Sequence, residues 1–181
     1  IMSSFLITTR HGQTIWNVEN KICGATDIAL TGLGRNQARE LGKRINEENS
    51  HIDEILYSPL IRAADTAKYI SEVTGIPCRE ELRLKEQNFG KYESTARDGK
   101  EFAKAKMNFV DDFDGGETML HLCQRIYNLI DDIKNNSEDK VYLLVAHNGI
   151  SRVVQSYFNN MTNEEFSAFG IKNCELKKYI F

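Results

Sequence analysis

Two short apolar runs, each leading to a histidine, constrain this chain more than any other feature. Phe5-Leu6-Ile7 runs into Thr8-Thr9-Arg10-His11-Gly12, and Val141-Tyr142-Leu143-Leu144-Val145 runs into Ala146-His147. Both runs are of strand length and read as buried strands. The first sets a guanidinium, an imidazole and a backbone N–H at one point, which suits an anion and a phosphoryl group above all. The expectation is that the two strand ends meet and that the rest of the chain equips the meeting place.

Between these runs, strand-like and helix-like segments alternate. Phe5 to Thr9 is the first strand, and Trp16 to Ala29 reads as a loop. Thr31 then caps a helix carrying Leu33, Ala38, Leu41 and Ile45 at helical spacing. Ile52 to Ser58 reads as a strand, and Ser58-Pro59 as a helix start with proline at the first helical position. That helix buries Ala63, Ala64, Ala67 and Ile70 and stops near Gly75. A short strand follows near Cys78, Leu82 to Gly90 is irregular, and the pattern weakens from Lys91 to Gly116.

A clearer helix begins at Glu117, with Met119, Leu122, Cys123, Ile126, Leu129, Ile130 and Ile133 on one face, and Asn135-Asn136 ends it. Lys140 to Ala146 is the strongest core strand, Gly149 opens a helix, Thr162-x-x-Glu165 is a capping box, and Glu175 to Phe181 is a last strand. The alternation predicts a three-layer α/β/α sandwich with a largely parallel central sheet. One domain over residues 2–181 is expected, with a small cap at about 88–116. In such sheets ligands sit at the carboxyl ends of the strands, where both His11 and His147 fall.

Composition removes several classes. Net charge is −3, without the basic balance of a general nucleic-acid binder. The apolar runs fall far short of the roughly 20 residues a membrane span needs, and no secretory leader is read at the start. The four cysteines, Cys23, Cys78, Cys123 and Cys174, are scattered and read as reduced thiols, which favours a cytoplasmic protein. No apolar stripe stands out from which to read an oligomeric state.

A neutral imidazole is a competent nucleophile toward phosphorus. Attack by His11 splits a phosphate ester in two steps, through a phosphohistidine that water then hydrolyses. The transferring group spreads negative charge over three oxygens and needs several cationic donors. Arg10 is adjacent, Arg62 lies in the first turn of the helix after Pro59, a protonated His147 is a third cation and Asn17 a neutral donor. The leaving alkoxide needs a proton, and Glu86 is the candidate acid. Its neighbours Glu80, Glu81, Glu93 and Glu117 remain alternatives. His51 and His121 read as structural or solvent-facing, Trp16 and Tyr92 as packing, and the basic residues of 91–106 as a solvated face.

Arg10-His11-Gly12 with Thr14 and Asn17, then Gly24-x-x-Asp27-x-x-Leu30-Thr31-x-x-Gly34-x-x-Gln37-Ala38, resembles the histidine phosphatase superfamily, which includes the cofactor-dependent phosphoglycerate mutases. Ser58-Pro59-x-x-Arg62-Ala63-x-x-Thr66-Ala67, Glu86 with Gly90, Gly116-Glu117-Thr118, and Val145-Ala146-His147-Asn148-Gly149 with Arg152 continue the likeness in order. The resemblance implies a phosphoglycerate mutase-like fold and a phosphorylated His11. Arg10, Arg62 and His147 would bind the phosphoryl oxygens and Glu86 would donate the proton. Asn17, Gly24 and Asn148 would line the pocket, with no metal and no cofactor.

The chain departs from the family at Ala29, where proline is common, and at Ser94 and Asn148, where glycine is frequent. It lacks the Trp-Arg-Arg-Ser type segment with which the mutases grip phosphoglycerate. The expected function is therefore hydrolysis of a small-molecule phosphate ester. A mutase-type phosphoryl transfer and a non-catalytic phospho-ligand binder are the alternatives.

Overall fold

The computed structural model describes residues 4–136 and 139–181. Five strands form one sheet in the order β3-β2-β4-β1-β5, where β1 is Phe5–Arg10, β2 Glu54–Tyr57, β3 Cys78–Glu80, β4 Tyr142–Ala146 and β5 Leu176–Ile180. The pairs β1/β4, β4/β2 and β2/β3 are parallel, and only β5, on the edge beside β1, is antiparallel.

Alternation along each strand divides the apolar residues between two faces. Ile7, Ile55, Leu143 and Val145 meet Leu41 and Ile45 of α2 (Gly32–Glu47) and Ala63, Ala67 and Ile70 of α3 (Ile61–Thr74). Leu6, Leu56, Leu144 and Ala146 meet Leu122, Ile126 and Ile130 of α5 (Met119–Asn136), and Ile150, Val153 and Val154 of α6 (Asn148–Phe158). These are the three layers expected from the sequence. No described helix is long and apolar enough to cross a membrane.

A third, smaller apolar cluster lies apart from both faces and belongs mostly to segment 88–116. Phe89, Phe102, Ala105 and Phe113 pack with Ile22 around α4 (Lys100–Ala105). Tyr92 packs against Phe102 and Phe113, which makes it part of this cluster.

Some local expectations are corrected and others hold. The segment read as a loop from Trp16 contains a one-turn helix, α1 (Ile15–Val18), closed by a reciprocal capping box of Thr14 and Asn17. Pro59 lies before the helix, since Leu60 is the N-cap of α3, yet Arg62 remains in the first turn. Leu33 is 55% exposed, and the inward positions of α2 are Gly34, Ala38, Leu41, Gly42 and Ile45. Gly75 closes α3 in the left-handed conformation (φ 76°). Thr162 caps α7 (Asn163–Ala168) by accepting the Glu165 N–H at 3.1 Å, the forward half of its capping box. The four cysteines are free thiols.

Candidate active site

The parallel register of β1 and β4 pairs Arg10 with Ala146, so the next residues, His11 and His147, stand side by side. The His11 N–H donates to the Ala146 carbonyl at 3.0 Å, and the two imidazole centroids are 5.3 Å apart. The meeting of the two strand ends, inferred from the apolar runs, is thus a consequence of strand order. Gly12 lets β1 turn away tightly, because a Cβ there would strike the Gly34 backbone at the start of α2. Its N–H, expected to be free for an anion, instead donates to Thr66 Oγ1 at 3.0 Å, and that hydroxyl donates to the Arg62 carbonyl at 2.7 Å. This bond ties the His11 turn to α3.

Hydrogen bonding fixes the tautomer of His11. Its Nδ1 lies 2.6 Å from the Gly12 carbonyl, which only accepts, so Nδ1 carries the proton and Nε2 keeps its lone pair. Burial, with Arg62 and Arg10 close by, holds the imidazole well below its ordinary value of 6.5, so the ring is neutral at physiological pH. His147 is the reverse case. Ser58 Oγ accepts the Leu60 N–H (3.3 Å) and lies 2.7 Å from His147 Nε2, which is the one acceptor within reach of its own proton among the described residues. The neutral His147 therefore carries its proton on Nδ1, which has no partner. Burial, with Arg62, His11 and Arg10 close by, lowers this imidazole too. His147 thus stands as a neutral donor rather than the cation expected from the sequence.

The arginines are held in the same half-satisfied way. Arg62 is fully buried. Its Nη1 donates to the Thr26 carbonyl (2.7 Å) and its Nη2 to the carbonyls of Gly24 (2.6 Å) and Cys23 (3.4 Å), while Nε has no partner. Arg10 donates from Nη1 to the Ile171 carbonyl at 3.1 Å, and its Nε is also unpartnered. Arg152 of α6 donates from Nε to the Phe169 carbonyl at 3.2 Å and leaves Nη1 unpartnered. Burial, then Arg97, Arg62 and Arg152, lower the Arg10 guanidinium to about 10.

A buried donor without a partner costs about 1–3 kcal/mol, and more when charged. Four such donors on Arg10, Arg62, His147 and Arg152 describe a place built for an anion.

Glu86 is buried against the start of α6. One oxygen accepts the Gly149 N–H and the other the Gln87 N–H, both at 2.9 Å. A Cβ at position 149 would collide with this side chain, so glycine is what admits Glu86 to the start of α6. Asn17 Oδ1 accepts the Thr14 N–H (3.0 Å) and Asn148 Oδ1 the Ile171 N–H (2.9 Å), which leaves both amide nitrogens to the cavity.

The cavity over His11 has a volume of about 90 Å³ and is lined by Arg10, His11, Asn17, Glu86, Asn148 and Arg152, among others. Gly24, expected in the lining, is outside it, and the buried Arg62 and His147 are not among the lining residues either. The Gly24 carbonyl holds Arg62 and the Gly24 N–H donates to Glu93 Oε2 at 2.8 Å. Sequence reasoning places the basic residues of 91–106 on a solvated face, but Arg97 and Lys106 reach the cavity, together with Phe89 and Phe102. The signal for this is the spacing of Phe89, Phe102 and Phe113, apolar aromatics in an otherwise charged stretch, which marks a small core and hence an inward side. His51, exposed and 3.0 Å from Asp53, and the exposed His121 are not among the residues lining this cavity.

A model of the histidine phosphatase superfamily, branch 1, matches residues 6–181, and the chain belongs to that family. A probable phosphoglycerate mutase of Erwinia tasmaniensis is 27% identical over 93% of this chain and 81% of its own length. A 2,3-bisphosphoglycerate-dependent phosphoglycerate mutase of Staphylococcus aureus is 32% identical over 76% of this chain, and the match spans only 57% of that enzyme. A mycobacterial glucosyl-3-phosphoglycerate phosphatase in complex with VO3 superimposes with a TM-score of 0.84 at 25% identity, covering 97% of this chain and 90% of the other. A phosphoserine phosphatase of Entamoeba histolytica in complex with 3-phosphoglyceric acid gives 0.83 at 28%, covering 98% and 90%.

Proposed function

We propose that this protein is a phosphomonoester hydrolase that works through a phosphohistidine on His11 and acts on a small phosphorylated metabolite. The observation that carries this reading is the set of unpartnered buried donors, Arg10 Nε, Arg62 Nε and His147 Nδ1, around an imidazole whose Nε2 lone pair is free. A phosphoryl group supplies the acceptors these donors lack. Its negative charge, spread over three oxygens in the transition state, matches two guanidiniums and an imidazole N–H.

In the first step His11 Nε2 forms a bond to phosphorus while the ester P–O bond breaks, and Glu86 gives its proton to the departing alkoxide. In the second, Glu86, now a carboxylate, takes a proton from water whose oxygen attacks phosphorus, and the N–P bond breaks. The acid is thereby restored and inorganic phosphate leaves. Arg10, Arg62 and His147 take the charge-stabilising role that a metal ion fills elsewhere, so activity is expected to survive chelators.

The cavity is well below the roughly 300–1,000 Å³ of common small-molecule pockets, which supports a compact substrate. The names of the two structural neighbours point the same way, toward small phosphorylated acids. A mutase-type transfer is the second reading, favoured by the names of the sequence relatives and by the basic residues above His11. It would need a bisphosphoglycerate primer.

Rapid-quench trapping with a ³²P-labelled ester and phosphate release from p-nitrophenyl phosphate test the reading together. Wild type should give an acid-labile phosphoenzyme and steady phosphate release, and His11→Asn should give neither, with kcat down about 10⁴-fold or more. Substantial turnover in His11→Asn would sink the phosphohistidine route. Isomerisation without net release, dependent on bisphosphoglycerate, would establish the mutase instead.

A further inference from the structure

We infer that Gln37 is a positioning residue for the nucleophile: by accepting the Gln13 N–H it holds the Gly12 carbonyl against His11 Nδ1, which keeps the Nε2 lone pair free for attack. This deepens the phosphohistidine reading and rests on it, since the ring so held is the one proposed to attack phosphorus.

Residues 11–14 lie between β1 and α1, so their backbone groups must find partners outside a helix or sheet. Each of the three peptides there is pinned at both ends. In the first, the His11 carbonyl accepts from Asn173 Nδ2 (2.9 Å) and the Gly12 N–H donates to Thr66 Oγ1 (3.0 Å). In the third, the Gln13 carbonyl accepts the Thr31 N–H (2.9 Å) and the Thr14 N–H donates to Asn17 Oδ1 (3.0 Å). The middle peptide differs, because the imidazole is itself one of the partners. Its carbonyl, on Gly12, lies 2.6 Å from His11 Nδ1, and its N–H, on Gln13, donates to Gln37 Oε1 at 2.8 Å. Gln37 therefore holds the far end of the one peptide that orients the ring.

The bond also acts through the electrons of the amide. Because the peptide is conjugated, an acceptor on its N–H makes its oxygen more negative, and hydrogen bonds in such a chain strengthen one another. The Gly12 carbonyl then draws harder on the Nδ1 proton and leaves Nε2 more electron-rich, as an outer partner does for a metal-bound histidine. Burial first, then Arg62 and Arg10, lower this imidazole, and the Gly12 carbonyl is the neighbour that opposes them.

Placement on α2 explains why residue 37 can do this. A Cβ on Gly12 would strike the Gly34 backbone, and a Cβ on Gly34 would strike the backbone of Gln13, so two glycines let the turn lie directly on the helix. Gln37 is three residues beyond Gly34 on the same helix face, within one side chain's reach of the Gln13 N–H. It is half-buried and is not among the residues lining the cavity, so it acts through the peptide and not on the substrate.

Gln37→Met keeps the stem and removes the acceptor oxygen, whereas Gln37→Glu keeps an acceptor at the same reach. With saturating p-nitrophenyl phosphate, the single-turnover rate of phosphoenzyme formation should fall about tenfold to hundredfold in Gln37→Met, with the half-saturating concentration within about twofold of wild type. Gln37→Glu should recover most of the rate. Proton NMR supplies a readout that a loss of packing would not give in this pattern. The His11 Nδ1–H resonance, identified by its absence in His11→Asn, should lie far downfield in wild type, move upfield in Gln37→Met and return in Gln37→Glu.

A wild-type rate in Gln37→Met, a loss carried by the half-saturating concentration, equal losses in both variants, or an unmoved resonance would overturn the role of Gln37. A phosphoenzyme trapped on His11 of the wild type would leave the hydrolase reading standing in each of those cases. A resonance that moves and returns in a protein forming no phosphoenzyme and releasing no phosphate would keep the hold on the ring and overturn the phosphohistidine reading.

Discussion

The two sides of the cavity are built differently. Below, His11, Arg62, Glu86 and His147 hang from the ends of β1 and β4, from the first turn of α3 and against the start of α6, and each is at most 4% exposed. Above, Arg97 and Lys106 belong to a stretch whose only α-helix, α4, has six residues and whose apolar cluster is a few aromatic rings with Ile22 and Ala105. A sheet end carrying a parallel register holds side chains to the tolerance that phosphoryl transfer demands. A loop-built upper wall can vary in sequence without disturbing the register beneath, and such segments commonly carry selectivity. On the proposed reading, the lower side governs whether a phosphoryl group is transferred, and the upper side governs what it arrives on.

The largest effect that separates the two comes from Arg62. Arg62→Ala should lower kcat for every phosphate ester by about 10²–10³-fold, the loss of a preorganised oxyanion donor. Arg62→Lys should recover only part, because the three N–H groups of an ammonium radiate from one nitrogen and cannot reproduce the separate positions of Nη1 on the Thr26 carbonyl, Nη2 on the Gly24 carbonyl and the unpartnered Nε. Steady-state rates on an aryl phosphate and on an alkyl phosphate check this, with thermal unfolding measured alongside. The loss should be the same on both esters. A loss confined to one of them would move Arg62 out of the phosphoryl site and blur the division between the two sides.

Glu93 joins the two sides, and its effect should be intermediate. It belongs to the upper segment, yet its Oε2 accepts the Gly24 N–H (2.8 Å) and its Oε1 accepts both the N–H and the hydroxyl of Thr26 (3.0 Å each). The carbonyls of this same short loop hold Arg62. Glu93→Gln sets an amide N–H against a backbone donor, shifts the loop and displaces Arg62 Nε from the phosphoryl oxygens. The expected result is a fall of about tenfold or more in kcat with a much smaller change in KM. A loss carried by KM instead would make Glu93 a substrate contact and place it wholly with the upper side.

The lower side is legible in the sequence because its positions follow from periodicity and register. Two apolar runs followed by histidines need only the order β4-β1 to bring His11 and His147 together, and Ser58-Pro59 announces the helix that carries Arg62. What escapes is hydrogen-bond partnership. The Gly12 N–H, expected to serve an anion, serves Thr66. Gly24, expected in the pocket, buttresses Arg62 from behind. His147, expected as a cation, is a neutral donor. Such outcomes depend on which distant group the fold brings within reach, a long-range matter that spacing does not encode. The upper side is hardly legible, since acids and bases alternate from Lys91 to Lys106 without a period. The side on which Lys106 lies is set by Phe89, Phe102 and Phe113, three aromatic residues far apart in the chain.

The smallest effect concerns the backbone of the upper side alone. Ser94 stands where the family frequently has glycine, and its φ is 69°, in the left-handed region. For an L residue that conformation costs roughly 1–2 kcal/mol, whereas glycine adopts it freely but loses more chain entropy on folding. The Ser94 side chain is exposed, and its N–H donates to the Ile22 carbonyl at 2.9 Å, a bond glycine keeps. Ser94→Gly should therefore stabilise the protein by about 0.5 kcal/mol, a rise of roughly 1–2 °C in Tm. Turnover of an aryl phosphate should stay within a factor of about two, because neither Ser94 nor its hydrogen bond touches the phosphoryl site. A large change in kcat with this substitution would mean that strain in the upper segment is transmitted to the sheet ends, and the two sides would then have to be treated as one mechanical unit.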